Sequence, residues 1–556
     1  MARVCLWMAL AVTLACGDDD GSAMDAGTEA DAGVDQGAPG WDAGVFPDIG
    51  PPPSGCDLLA GTDPVEPGDP APAPDAFGAL AGPGGPRTTF TEAERMVACA
   101  SLDGGERDRD HHNTVLMLDG YLWMPWAHEG GVGGLSVFDF DDPCAPETVA
   151  TTVEEEMRET HAAGVATVTG EDGVDRRYMV TTSLTGIMFW DVSDPTAPVM
   201  VHDMTLPDVV YPDSYTRVVM STFWQAPYVY VGASDNGVFI VDASDPTAPE
   251  LVDQVQPDPD FRVGGVHAIG TLLVILPSEG TRTALMDLSD PANPRRIPGG
   301  SFQLSDGTFD FAGRPRIVTA YFSHVNGDRI YYARHLLGGG LVTYDIDSPS
   351  EPRFLGFYDS DWRGANGGYV FVKGDRAFVG LSKIGEVIDI SDPTTLTRMG
   401  RLEMTGDLDT LVPMGNVIVA SVDDDAVPGE ASRVYPWETE LDTEGPRVNM
   451  VRPHDGTTGV TLGSRVGVTF DEPIDFASVF AGSFHLLELD AAGEPVGGPL
   501  PGHWSGQEGA VNFAPAAPLK PATRYRLVVP AGGVIDAVGN PTATPFSATF
   551  TTVACE

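Results

Sequence analysis

The chain has 556 residues, a formal net charge of −50 and a sequence pI near 4.2, a length that admits two to four domains and a large buried core. With 42% apolar residues it is globular, while 66 Gly and 47 Pro call for many turns and short strands rather than a helical bundle. A charge of −50 excludes non-specific binding to nucleic acid or to an anionic membrane face, because phosphate is repelled.

The first 15 residues carry one basic side chain, Arg3, ahead of the apolar run Val4–Ala15. A run of about 12 residues suits the core of a signal peptide and is too short to span a bilayer. It ends in Thr13-Leu14-Ala15-Cys16-Gly17, which resembles a bacterial lipobox with Thr13 where Leu is usual. The resemblance implies cleavage after residue 15 and lipidation of Cys16, whose acyl chains would hold the protein on a membrane. Residues 16–86 read as a disordered tether. From 17 to 86 there are 14 acidic side chains and no Lys or Arg, amid abundant Gly, Ala and Pro, a composition that cannot offset its ordering entropy. No later segment reaches 18 unbroken apolar residues.

With Cys5 in the leader and Cys16 committed to lipid, Cys56, Cys99, Cys144 and Cys555 remain. An even set in an exported chain suggests two disulfides, with three pairings open, and the spacing fits no metal motif.

From residue 95 to 440 the chain repeats itself. Gly186–Pro198 reads G-I-M-F-W-D-V-S-D-P-T-A-P and Gly237–Pro249 reads G-V-F-I-V-D-A-S-D-P-T-A-P. Related copies end at Asp287–Pro291, Asp345–Pro349 and Asp389–Pro393, with a looser first copy at Val137–Pro143. The leading Asp recurs every 44–58 residues, the size of four strands with their turns, or one propeller blade. Runs such as Val238-Phe239-Ile240-Val241 are apolar on both faces, as a strand stacked between sheets requires. The Asp-Pro that follows ends the strand, Asp by bonding backbone two residues on and Pro by removing a donor. These copies resemble LVIVD repeats, a bacterial propeller family that implies a fold and lends no general activity.

Six copies are clear. A seventh blade follows if Leu411–Met414, Val417–Val422 and Arg433–Trp437 join a fourth strand from Met96–Leu102, since Arg95-Met96-Val97 resembles the post-motif strand at Arg398-Met399-Gly400. Closing a ring with a strand from the other terminus removes exposed edges. It also brings Cys99 to Cys144, which leaves Cys56–Cys555 as the remaining pair.

At residue 443 the pattern changes to short strands separated by turns up to 553, the signature of a β-sandwich. Val468–Asp475, Leu519–Tyr525, Val534–Asn540 and Phe550–Thr552 resemble, in order, bacterial Ig-like domains of the S-layer type. That resemblance implies a structural or spacer module. The fold class is therefore all-β: a seven-bladed propeller followed by an Ig-like sandwich.

Catalytic signatures are scarce. There is no G-x-S-x-G, H-E-x-x-H, P-loop or helix-opening G-x-G-x-x-G, and no catalytic residue is assigned. The Asp of each Ser-Asp-Pro repeats and is a turn residue. Trp123, Trp126, Trp190 and Trp224 lie in strand-like runs and read as core. His112, His161, His267 and His324 each fall near the innermost strand of a different blade, where imidazoles approach the ring axis and a transition metal is conceivable. His267 and His324 stand three residues before a turn glycine, His112 and His161 eight and nine, so one four-His centre is not expected. On the face where each blade connects to the next, His112, Glu156, Glu159, His161, Arg262, His267 and His324, with His111, Arg158 and Tyr215 nearby, form the candidate ligand surface.

The expectation is a non-catalytic binding or scaffolding lipoprotein of the bacterial cell envelope, at the outer membrane or cell surface. It would contact a protein or polysaccharide through the propeller face, and the membrane through its N-terminal lipid. The alternative is a metal- or carboxylate-dependent enzyme at the channel mouth, acting on a polysaccharide. No cofactor is expected; weak calcium at Asp423-Asp424-Asp425 or a transition metal are the lesser alternatives.

Overall fold

The computed structural model describes Cys56 and residues 62–102, 114–128, 130–170, 172–211, 216–257, 259–336, 338–423 and 425–555. Gly55–Glu556 forms a compact unit of its own. Among the described residues the protein is all β apart from one 3-10 turn, Phe476–Ser478, and no helix is long and apolar enough to cross a membrane.

The repeats fold as successive antiparallel sheets in which each strand pairs with the next. The first contains Leu116–Leu118, Tyr121–Ala127, Gly133–Asp139 and Glu147–Glu154; the second runs from Gly164–Thr169 to Val199–Thr205. Three more begin with Ser221–Gln225, Val263–Ile269 and Thr319–Val325. The last sheet has seven strands, starting at Val370–Lys373. Within it the long strand Thr397–Met414 pairs with Ser382–Asp389 along its first half and with Val417–Val422 along its second. Its far edge is Ala100–Leu102, antiparallel to Ser432–Pro436, so chain from before the first repeat completes the last sheet. The disulfide Cys99–Cys144 lies beside this junction, and Cys56–Cys555 is the second. From the second repeat to the sixth the first strands neighbour one another in order, and residues at or beside the first strands of all six border a common central space.

The repeated Asp does the work its position suggests. In Asp191, Asp242, Asp287, Asp345 and Asp389 the side chain accepts the backbone N–H two residues on, at 2.8–2.9 Å. The preceding strand is sealed on both faces, as in Val238–Asp242, where only the Asp is partly exposed. Trp123, Trp126, Trp190 and Trp224 are fully buried.

The Ig-like part is a sandwich of two sheets. One orders Thr457–Val460, Phe546–Thr552, Arg524–Val529 and His485–Leu489; the other orders Val448–Arg452, Val466–Phe470, Ala510–Pro515 and Gly502–Gln507. The second sheet does not end there. Gly502–Gln507 pairs antiparallel with Gly164–Thr169, placing Trp504 opposite Thr167 and Gly506 opposite Val165, so eight strands from both parts make one sheet. The innermost edge of a repeat, open toward the central space, is thereby covered by backbone hydrogen bonds.

Residues 62–86, which composition places in the tether, lie along both parts. Val65 is buried in the Ig-like core and donates its N–H to Pro518 O (2.8 Å). Phe77 packs edge-on against Phe480 at 6.2 Å, and Gly82 donates to Asp119 O (2.9 Å). Apolar anchors every few residues, together with the Cys56–Cys555 bond, give this stretch the contacts that its charge and glycine content conceal. Cys16 lies outside the described residues.

Candidate functional site

The tight turns between the first and second strands of the repeats sit at one end of the central space, and the Ig-like part meets them one by one. The Asp475 carboxylate accepts the N–H groups of Asp119 (2.8 Å) and Gly120 (2.7 Å). Ser505 Oγ accepts from Ala226 N at 2.9 Å. Asn512 accepts from Gly270 N (2.7 Å) and Gln225 Nε2 (3.1 Å) and donates to Ala268 O (2.8 Å). Asn326 donates to Phe470 O at 2.9 Å, and Gly327 to Thr469 Oγ1 at 3.1 Å. Two glycines make the approach possible: Gly270 has φ +53°, and a Cβ on Gly467 would stand 2.3 Å from Gly270 N.

Lys373, in the corresponding turn of the sixth repeat, reaches Asp442 at 2.7 Å and touches Glu472. Burial opposes its charge, but Glu472 and Asp442 outweigh that and hold the ammonium above its ordinary value. Three carboxylates converge on this one cation. Burial, opposed by Lys373, pushes Glu472 up to about 8 and Asp536 up to about 6.

The hairpin of Gly502–Gln507 and Ala510–Pro515 carries Glu508 at its tip into the central space. Glu508 has φ +56°, a region that non-glycine residues visit rarely and that costs energy unless neighbours impose it. Its carboxylate lies 2.8 Å from His324 Nδ1. Burial would raise Glu508, but His324 and then His267 outweigh it and hold the carboxyl below its ordinary value. His267 stands edge-on to His324 with centroids 6.2 Å apart. Burial pushes His267 down to about 4; Glu508 opposes the shift and His324 adds to it. These groups, with His161, Ser221, Phe322 and Tyr369, border a cavity of about 20 Å³, room for a single water and no organic ligand.

Toward the opposite end, His161 is held by other partners. Its Nδ1 is 2.7 Å from Met220 O and its Nε2 2.7 Å from Glu159 Oε1, and the ring stacks on Phe322 at 4.4 Å. Both ring nitrogens of His161 thus face protein oxygens. Arg158, also buried, donates to Val219 O at 3.1 Å. Of the residues assigned to the ligand face, Arg158, Glu159 and His161 are thus sealed inside, whereas Glu156 is exposed. His111, His112 and Tyr215 lie outside the described residues.

Arg262 does reach the mouth, 3.4 Å from Asp235 and 3.8 Å from Glu279. Glu279 in turn lies 3.5 Å from His335 Nε2, and the hydrogen bond from that imidazole holds it below its ordinary value. His335 Nδ1 is 2.7 Å from Gly367 O and Nε2 is 3.4 Å from Asn366 Nδ2. Asp235, Arg262, Glu279 and His335 therefore form a continuous line of polar contacts across three repeats. Sequence reasoning missed Glu279, His335 and Glu508. The dipeptide Glu508-Gly509 between two strands was the available signal for a hairpin tip.

Among the described residues, ligand atoms converge well enough to hold a metal at Asp328, Asp347 and His454 and at Asp442, Glu472 and Asp536. Arg452 is already 2.6 Å from Asp328 in the first, and Lys373 fills the second. The channel histidines belong to neither group. Asp424 of the acidic run lies outside the described residues, Asp425 is exposed and Asp423 is partly buried.

A family model for the bacterial Ig-like domain matches residues 442–552, and one for the LVIVD repeat matches residues 226–256 and 366–403. The chain carries both modules. No curated protein matches it. Among solved structures it is similar to a periplasmic gluconolactonase of Pseudomonas aeruginosa at 14% identity, covering 52% of this chain and 84% of that one, with a TM-score of 0.39. It is also similar to a hypothetical selenium-binding protein from Sulfolobus tokodaii at 11% identity, covering 79% and 96%, with a TM-score of 0.41.

Proposed function

We propose that the protein is a non-catalytic binding or scaffolding lipoprotein of the bacterial cell envelope, anchored through Cys16 and exposed at the outer membrane or cell surface. Residues 95–440 are read as a seven-bladed propeller. In that reading the seven-stranded sheet is two blades sharing Thr397–Met414, and Ala100–Leu102 is the closing strand. A protein or polysaccharide is contacted through the face where repeats connect, with Arg262, Glu279 and His335 at its mouth.

One observation carries this reading. The Ig-like hairpin enters the central space from one end, and among the described residues the cavities it borders measure about 20 and 30 Å³, room for water alone, which supports a larger ligand being met from outside, on the opposite face. The rival, an enzyme at the channel mouth, would look to the Glu279–His335 pair, 3.5 Å apart, but His335 Nδ1 is already engaged by Gly367 O at 2.7 Å, which leaves that imidazole no nitrogen for general base work. Photo-cross-linking in intact envelopes tests the proposal. A cross-linker at position 262 yields a discrete adduct that one at position 454, on the Ig-like side, does not. Equal labelling from both positions, or none from 262, contradicts it.

A further inference from the structure

Between the fourth and fifth sheets the chain makes an extra hairpin, Ser305–Phe309 paired with Pro315–Ile317. Its base is fixed to the fifth sheet, where Ser305 N donates to Tyr344 Oη at 2.8 Å. Its tip is stapled: Asp310 accepts from Ala312 N (2.8 Å), Arg314 N (2.9 Å) and Arg314 Nε (2.8 Å). The staple presents Phe309 at 67% exposure and Phe311 at 103%. Beside them the side chains of Arg314 and Arg316 are 72% and 57% exposed, balanced by Asp310 and Asp306. On a chain of net charge −50, this is a locally neutral, preordered aromatic finger.

We propose that the finger contacts a lipid bilayer. Phe309 and Phe311 would enter the boundary between headgroups and acyl chains, with Arg314 and Arg316 at the phosphates of zwitterionic lipids. Two Phe side chains offer roughly 300–400 Å², whereas a stable protein interface takes about 800 Å² from each partner. A bilayer interface, in contrast, accepts isolated protruding aromatics flanked by Arg. A second copy of the chain is further disfavoured by repulsion between two strongly acidic surfaces. The proposal is independent of lipidation at Cys16.

The test uses the compact unit Gly55–Glu556, which lacks both the leader and Cys16. It is expected to float with phosphatidylcholine vesicles, and Phe309→Ser/Phe311→Ser lowers the bound fraction about tenfold while leaving the near-ultraviolet circular dichroism unchanged. Phe311→Trp keeps binding and adds an emission quenched by brominated lipid, read as a difference from the seven tryptophans native to this unit. Absence of flotation, equal flotation of the double variant, or an unquenched Trp overturns the proposal. So does a concentration-dependent dimer in sedimentation that the serine pair abolishes without any vesicle binding.

Discussion

His267 is buried beside a carboxylate that His324 already occupies, so its imidazole is held neutral, with its value down to about 4. The unfolded chain takes up that proton near pH 6.5, well before the native state does. Native stability contributed by the neutral ring is therefore complete above about pH 6.5 and declines as pH falls toward 4, by about 3 kcal/mol. His267→Phe should flatten the fall in melting temperature between pH 6.5 and 4; an unchanged slope would remove His267 as its source. Glu472 acts with the opposite sign. With its value up at about 8, the native state keeps a proton that the unfolded chain releases near 4.5, so stability declines as pH rises from about 4.5 to 8. Glu472→Gln should bring the melting temperature at pH 9 close to that at pH 6, and a variant as alkali-sensitive as the parent would refute this. At this scale the sequence was legible where chemistry repeats. Six Asp residues at one register declared a turn role. A single Glu472 or Glu508 declared nothing, because its partner stands 99 or 184 residues away.

The hairpin ending at Glu508 shows where strand reading stops. Third strands such as Val238–Asp242 were visible because stacking between sheets demands apolar residues on both faces. Gly502–Gln507 reads G-H-W-S-G-Q, with one large apolar side chain, because its partners are backbone edges and polar turns rather than a core. Its pairing with Gly164–Thr169 spans more than 330 residues, as Ser505↔Ala166 shows, beyond any local pattern. Asn512 measures what this element contributes: Gly270 N and Ala268 O depend on it, and Gln225 Nε2, which also donates to Gly270 O at 2.9 Å, shares it. In Asn512→Leu the two dependent buried groups lose that partner at about 1–3 kcal/mol each. The loss expected in denaturant unfolding is thus about 2–6 kcal/mol at an unchanged m-value. A loss below about 1 kcal/mol would mean that water reaches the turns and the hairpin is not seated as described.

Whole-molecule behaviour follows from the same continuity. Composition and motif spacing separate a repeat region from an Ig-like region, and the strand supplied by Ala100–Leu102 with Cys99–Cys144 was readable from the wish to close a ring. The joining of the two regions was not readable, since each has complete internal patterning. Yet one hydrophobic cluster runs from Leu118, Trp123 and Met179 of the repeats to Phe470, Phe513 and Phe550 of the sandwich. One eight-stranded sheet crosses the same boundary, and residues 62–95 bridge it on the outside. Separate domains with small polar interfaces melt separately; here, unfolding the sandwich strips the edge of Gly164–Thr169 and uncovers Glu508's partners His324 and His267. Scanning calorimetry of Gly55–Glu556 should accordingly show one transition whose calorimetric and van't Hoff enthalpies agree. Two resolved transitions, or a sandwich lost with the repeats still folded, would show that the shared sheet does not couple the two parts.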